Sequence, residues 1–135
     1  MGATIDELLA ASRGRIRRYA PADVPPGAAI IDIRSADRRS HDGVIPGALH
    51  IPRTVLEWRV DPSSEWQTPR LKGTERLVLV CDHGYSSSLA AATLLELGVD
   101  AGDVIGGFEA WVDAGLPVKP AGDPSPGLPG MGLPD

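Results

Sequence analysis

The chain has 135 residues, 42% of them hydrophobic but only 4% aromatic, and a formal net charge of −5. That length suits one domain whose core is filled by Leu, Ile, Val and Ala, and it needs no covalent staple. A single cysteine excludes an internal disulfide, and no N-terminal apolar run has the make-up of a signal peptide or a membrane span, so a reducing cytoplasm is the expected compartment.

In chain order, Thr4 is placed to cap an amphipathic helix carrying Ile5, Leu8 and Leu9 on one face. Arg15 to Tyr19 reads as a short edge strand, and its run Arg13, Arg15, Arg17 and Arg18 as a solvated face rather than a nucleic-acid patch, because the protein is acidic and few aromatics stand nearby. Pro21 to Gly27 is a turn-rich connection. Ala28 to Ile33 is a central strand, Ser35 to Ser40 a short helix and Ala48 to Ile51 the next strand. Thr54 to Val60 is helical, and Asp61 to Gly73 a polar loop carrying Trp66, which with Trp58 suits either a pocket wall or plain packing. Leu77 to Val80 is a fully apolar strand, followed by a helix that Ser86 or Ser87 caps and Gly98 stops. A short strand at Val104-Ile105 and a helix from Phe108 to Ala114 complete the pattern, and alternating strands and helices imply a parallel sheet covered on both faces. From Lys119 onward nine of seventeen residues are Pro or Gly, so residues 1–118 form the domain and 119–135 a disordered tail.

Cys81 ends the Leu77 to Val80 strand. A lone cysteine most often packs as a small hydrophobe inside an element. This one instead stands at the C-terminal end of a strand, where open α/β sheets bind ligands, and the turn's N–H groups and the positive end of the next helix favour a thiolate. His83, two residues on, suggests a metal pair, but there is no second cysteine and His41 and His50 lie in another segment, so no metal is expected. His83 as a proton acceptor for Cys81 stays open.

The loop Cys81-Asp82-His83-Gly84-Tyr85-Ser86-Ser87 resembles the active-site loop of single-domain rhodaneses of the Cys-x-His-Gly-x-Ser-Ser subgroup. Ile31-Asp32-Ile33-Arg34, then Gly43-Val44-Ile45-Pro46-Gly47-Ala48 and Ile51-Pro52, resemble the family's amino-terminal signature. Gly106-Gly107-Phe108-Glu109-Ala110-Trp111 with Gly115-Leu116-Pro117-Val118 resembles its carboxy-terminal one. Three blocks in order across residues 15 to 118 carry far more weight than any one alone. Two positions depart from the family: Val44 stands where a His is common, and Ser86 where many members have Arg.

The resemblance implies a three-layer α/β domain with a mainly parallel sheet of about five strands. It implies a thiosulfate sulfurtransferase in which Cys81 takes a sulfane sulfur from thiosulfate or a persulfide donor, holds it as a persulfide in the loop Asp82 to Ser87, and passes it to cyanide, a thiol or a sulfur-relay protein. No cofactor, nucleic acid or membrane enters that scheme. Residues 77–135 hold eight acids against Lys119 alone, so cations for an anionic donor must come from the first half. Arg34, Arg53 and Arg59 are the candidates for anion binding or structural support, and Asp32 for tying down loop backbone. Two alternatives remain: a non-catalytic rhodanese-like module that binds a partner protein, and a phosphatase or arsenate reductase. The latter uses a Cys-x5-Arg loop whose arginine clamps an oxyanion, and here that position is Ser87.

Overall fold

The computed structural model describes residues 2–122. Five parallel strands form one sheet in the order β1-β5-β4-β2-β3, with β1 Arg17–Tyr19, β2 Ala29–Asp32, β3 Leu49–His50, β4 Leu77–Val80 and β5 Ala101–Val104. The helices are α1 Ile5–Arg15, α2 Ala36–Asp42, α3 Leu56–Val60, α4 Ser86–Glu96 and α5 Gly107–Asp113. From adjacent strands β2 and β4 the chain leaves in opposite directions, toward β3 and toward β5, and this opens a crevice at their C-terminal ends. Cys81 sits there.

Every residue of β4 is buried, as a central parallel strand covered on both faces requires. Leu77, Leu79 and Cys81 join Ile31 in a cluster with Leu56 and Val60 of α3 and Ala90, Ala91 and Leu94 of α4. Val78, Val80 and Val104 face the other way, against Phe108 and Trp111 of α5. The alanines let α4 lie close to the sheet at little cost in side-chain entropy, and each fully buried Leu, Ile or Val adds roughly 1.5–3 kcal/mol.

Thr4 caps α1 as expected, in a reciprocal capping box with Glu7. The apolar face forms only in part: Ile5 and Leu8 are exposed, Leu9 is half-buried, and the fully buried residue of α1 is Ser12. Helix α4 also starts differently. Tyr85 occupies its N-cap with no side-chain bond, and the Ser87 and Ser88 hydroxyls turn instead toward Asp103 of β5. Strand β5 begins at Ala101, three residues before the expected start, and so takes Asp103 into the sheet. Trp58 and Trp66 are exposed. Val44 is buried and exchanges two backbone hydrogen bonds with Lys119, the residue at which the tail was expected to begin; residues 123–135 of that tail lie outside the described residues. Among the described residues no helix is long and apolar enough to cross a membrane.

His50, at the end of β3, sits 2.9 Å through Nε2 from the Arg34 carbonyl, so the neutral ring carries its proton on that nitrogen. Burial pushes its pKa below the ordinary 6.5, with the Arg39 and Arg34 charges in the same direction; the bond to Arg34 and the Asp32 charge oppose them. The unfolded chain therefore binds the proton first as pH falls, and stability is lost on going below the unfolded pKa until the folded ring also titrates. Thermal melts between about pH 7.5 and pH 5 are expected to show a smaller drop in Tm for His50→Gln than for the parent. An equal drop in both would show that His50 does not contribute.

Candidate active site

Cys81 is buried at the base of the loop between β4 and α4. Its Sγ accepts hydrogen bonds from the backbone N–H of Gly84 at 3.1 Å and of Ser87 at 3.4 Å, and its thiol proton faces the Ser87 hydroxyl at 3.2 Å. The cradle therefore consists of two amides and one hydroxyl. Gly84 closes it with φ +84°, and a Cβ there would stand 2.7 Å from the Gly106 nitrogen. Gly107, at φ +64°, brings α5 so near that a Cβ would strike the Cys81 carbonyl. That approach lets the Phe108 N–H donate to the Cys81 carbonyl at 2.8 Å and the Glu109 N–H to that of Asp82 at 3.2 Å. The Gly106-Gly107 pair thus pins the two ends of the sequence blocks together.

Asp32 and Arg34 form a buried pair beside the cradle, joined by the half-buried Arg39. Asp32 accepts from the Arg34 backbone N–H at 3.0 Å, from Arg34 Nε at 3.0 Å and Nη2 at 2.8 Å, and from Arg39 Nε at 3.1 Å. Arg34 Nη2 also reaches the Gly43 carbonyl at 2.8 Å, and the guanidinium lies 3.7 Å from the centroid of the Phe108 ring. Arg34 is thus engaged on its edge and its face. Arg53 pairs with Glu57, and Arg59 is buried with Nη1 donating to the Trp66 carbonyl. The arginines picked out as anion-binding or structural support all occupy such structural contacts.

Two of the cations that reach the loop come from the run read as a solvated face. Arg13 Nη2 donates to the Gly84 carbonyl at 2.7 Å, and Arg18 Nη2 to the same oxygen at 3.1 Å. Arg18 also pairs with Asp103 at 2.8 Å, and Arg13 lies 5.5 Å from the centroid of the Tyr85 ring. The sequence signal for this was present but weak: Asp103 is a carboxylate beside apolar residues just ahead of Gly106-Gly107, a position that demands a partner only once the strand is drawn back to Ala101.

On the outer side of the loop, Asp82 and His83 line a cavity of about 340 Å³ together with Arg38, Asp42, Glu109 and Asp113. Asp82 lies 3.7 Å from Arg38, and His83 Nε2 is 2.9 Å from Glu109, so the imidazole is engaged away from the thiol. Ser86 and Tyr85 are exposed. No group of three or more His, Cys, Asp or Glu among the described residues is arranged to hold a metal ion.

A glycine-pinned loop cradling one thiol at the switch point of a parallel sheet defines an α/β domain built around a cysteine. The family model for the rhodanese-like domain matches residues 19–114, and the chain belongs to that family. It is 36% identical over 95 residues to the thiosulfate sulfurtransferase GlpE of Actinobacillus succinogenes, an alignment covering 70% of this chain and 78% of that protein. A Rhodopseudomonas palustris protein of unknown function, described as a possible tyrosine phosphatase, superposes with a TM-score of 0.81 at 31% identity, over 88% of this chain and 96% of that one. The thiosulfate sulfurtransferase of Pseudomonas aeruginosa superposes with a TM-score of 0.63 at 28% identity, over 78% of this chain but 19% of its own.

Proposed function

We propose that the protein is a sulfurtransferase that carries sulfane sulfur on Cys81. The observation that carries this reading is the Cys81 Sγ held between the Gly84 and Ser87 N–H groups at the C-terminal end of β4. The thiol first gives its proton to solvent. The thiolate then attacks the outer sulfur of thiosulfate, a new S–S bond forms, and the donor's own S–S bond breaks with its electron pair leaving on sulfite. The product is a Cys81 persulfide anion. Cyanide or an acceptor thiolate attacks the outer sulfur, and the Cys81 thiolate is regenerated with the electrons of the broken bond. Charge stays on sulfur or on the departing anion throughout, and the chemistry asks of the protein only a dry cradle of fixed donors. A sulfur-relay protein in a reducing cytoplasm would serve equally as donor or acceptor.

The likeness to a protein described as a possible tyrosine phosphatase raises the rival chemistry. Phosphoryl transfer in such loops needs a planar, bidentate cation six residues after the cysteine. Ser87 fills that position, with its hydroxyl bonded to Asp103 at 2.7 Å. A tetrahedral dianion would meet a buried carboxylate there, which favours the sulfurtransferase reading. Incubation with thiosulfate followed by intact-protein mass spectrometry tests it: the expected result is a gain of one sulfur atom on Cys81, and an unmodified mass together with phosphate ester hydrolysis would overturn it.

Ser86 lies on the exposed first turn of α4, and the cavity beside Asp82 and His83 carries four acids, Asp82, Asp42, Glu109 and Asp113, against Arg38 and His83. That excess of negative charge disfavours thiosulfate. Ser86→Arg is expected to lower the KM for thiosulfate severalfold in initial-rate assays with little change in kcat, since the added charge binds the donor and the transition state alike. An unchanged KM would mean that this turn does not face the donor.

A further inference from the structure

We propose that Asp103 is a positioning residue for Cys81, acting through the Ser87 hydroxyl to hold the empty sulfur as a thiol. Asp103 is fully buried in β5, and its Oδ2 accepts from Ser87 Oγ and from Ser88 Oγ, each at 2.7 Å. A serine hydroxyl has one proton. With that proton committed to the carboxylate, Ser87 turns a lone pair toward Sγ, 3.2 Å away, and accepts the thiol's S–H. The hydrogen-bond chain therefore runs from Cys81 through Ser87 to Asp103, and Arg18 closes it at 2.8 Å from Oδ1.

The chain treats the two states of the sulfur differently. A bare thiolate has no proton to offer Ser87; to be solvated by that hydroxyl it must draw the proton away from a buried carboxylate. A persulfide carries its charge on the outer sulfur, so Sγ makes no such demand and the Ser87 to Asp103 bond stays in place. Asp103 thus penalises the empty thiolate relative both to the thiol and to the loaded persulfide, so the resting sulfur is protonated while the loaded sulfur keeps its charge. Other charges face this region from several elements. Arg18 of β1 and Arg13 of α1 lie on the inner side, on the Gly84 carbonyl. On the outer side Asp82 is near Arg38 of α2, and His83 is paired with Glu109 of α5. None of these supplies or withholds a proton at Ser87 Oγ.

The inference rests on Cys81 as the sulfur carrier, but its test does not need turnover. In Asp103→Asn the amide can donate to Ser87, which frees the hydroxyl to donate to sulfur. The iodoacetamide reaction followed from about pH 5 to pH 10 is expected to show its midpoint moved down by about one pH unit, a tenfold effect, with the high-pH plateau unchanged. In a Ser87→Ala background the same substitution should produce no such shift. A plateau that rises with the midpoint fixed would mean that the variant merely loosens the loop, and a shift that persists without Ser87 would mean that the hydroxyl is not the link; either result overturns the proposal. Where Asp103→Asn does not fold, Ser87→Ala alone decides. The midpoint should fall if Ser87 accepts from the thiol; a midpoint that stays would show that the hydroxyl does not hold the thiol, and a rise that it donates to the thiolate, and either overturns the proposal. Mass spectrometry of sulfur gain on the parent protein reports separately on the transferase reading.

Discussion

Replacing Cys81 by Ser is expected to abolish sulfur transfer and to leave the fold intact. Serine is close to cysteine in shape, and an Oγ at this position can still accept from the Gly84 and Ser87 N–H groups and donate to the Ser87 hydroxyl, so every partner of Sγ keeps a bond. The change in stability should stay within about 1 kcal/mol. The chemistry has no such substitute. An alkoxide is out of reach at neutral pH, and oxygen cannot take up sulfane sulfur to form a persulfide. The loss in kcat should be on the order of 10³ or more, as for other essential nucleophiles. Far-UV circular dichroism and thermal melts check the fold, and thiosulfate:cyanide assays check the activity. Turnover surviving in a folded variant would place the carried sulfur elsewhere.

The sequence disclosed what depends on short-range pattern. Leu77 to Val80 is apolar at every position, and a four-residue apolar run ending in Cys and a Gly-containing turn has few other readings in an α/β chain. The glycines at 84, 106 and 107 were visible as turns, although their close approach to Cys81 depends on packing between α5 and the β4 to α4 loop. What was not legible depended on distant partners. Ser87, like Ser86, is a good cap by local preference, yet a carboxylate on the neighbouring strand accepts from its hydroxyl and from that of Ser88. Arg13 and Arg18 are separated by 71 and 66 residues from the Gly84 carbonyl they share, so no window of local sequence could join them to it. Similarly, Ile5 and Leu8 have helical spacing, but α1 turns Ser12 and the half-buried Leu9 inward and bonds Ser88 through Arg13, which leaves Ile5 and Leu8 outward.

The other large effect expected is on stability, at Asp32. Its carboxylate is 1% exposed and accepts from the Arg34 backbone and side chain and from Arg39 Nε. Asp32→Ala leaves the Arg34 side chain, itself fully buried, as an uncompensated charge. Breaking a buried pair in this way costs about 3–5 kcal/mol, a large part of the roughly 5–15 kcal/mol that holds a domain together. Tm should fall on the order of 10–20 °C. Asp32→Asn keeps an acceptor but not the charge, and should fall between parent and Ala. The diagnostic comparison is the double variant Asp32→Ala with Arg34→Met: removing the stranded charge should recover part of the loss, because an apolar side chain on the Phe108 ring carries no desolvation penalty. Further loss in the double variant would mean that the guanidinium supports the loop by its bond to the Gly43 carbonyl more than its burial costs. A Tm for Asp32→Ala within about 2 °C of the parent would show that this pair does not hold the crevice between β2 and β4.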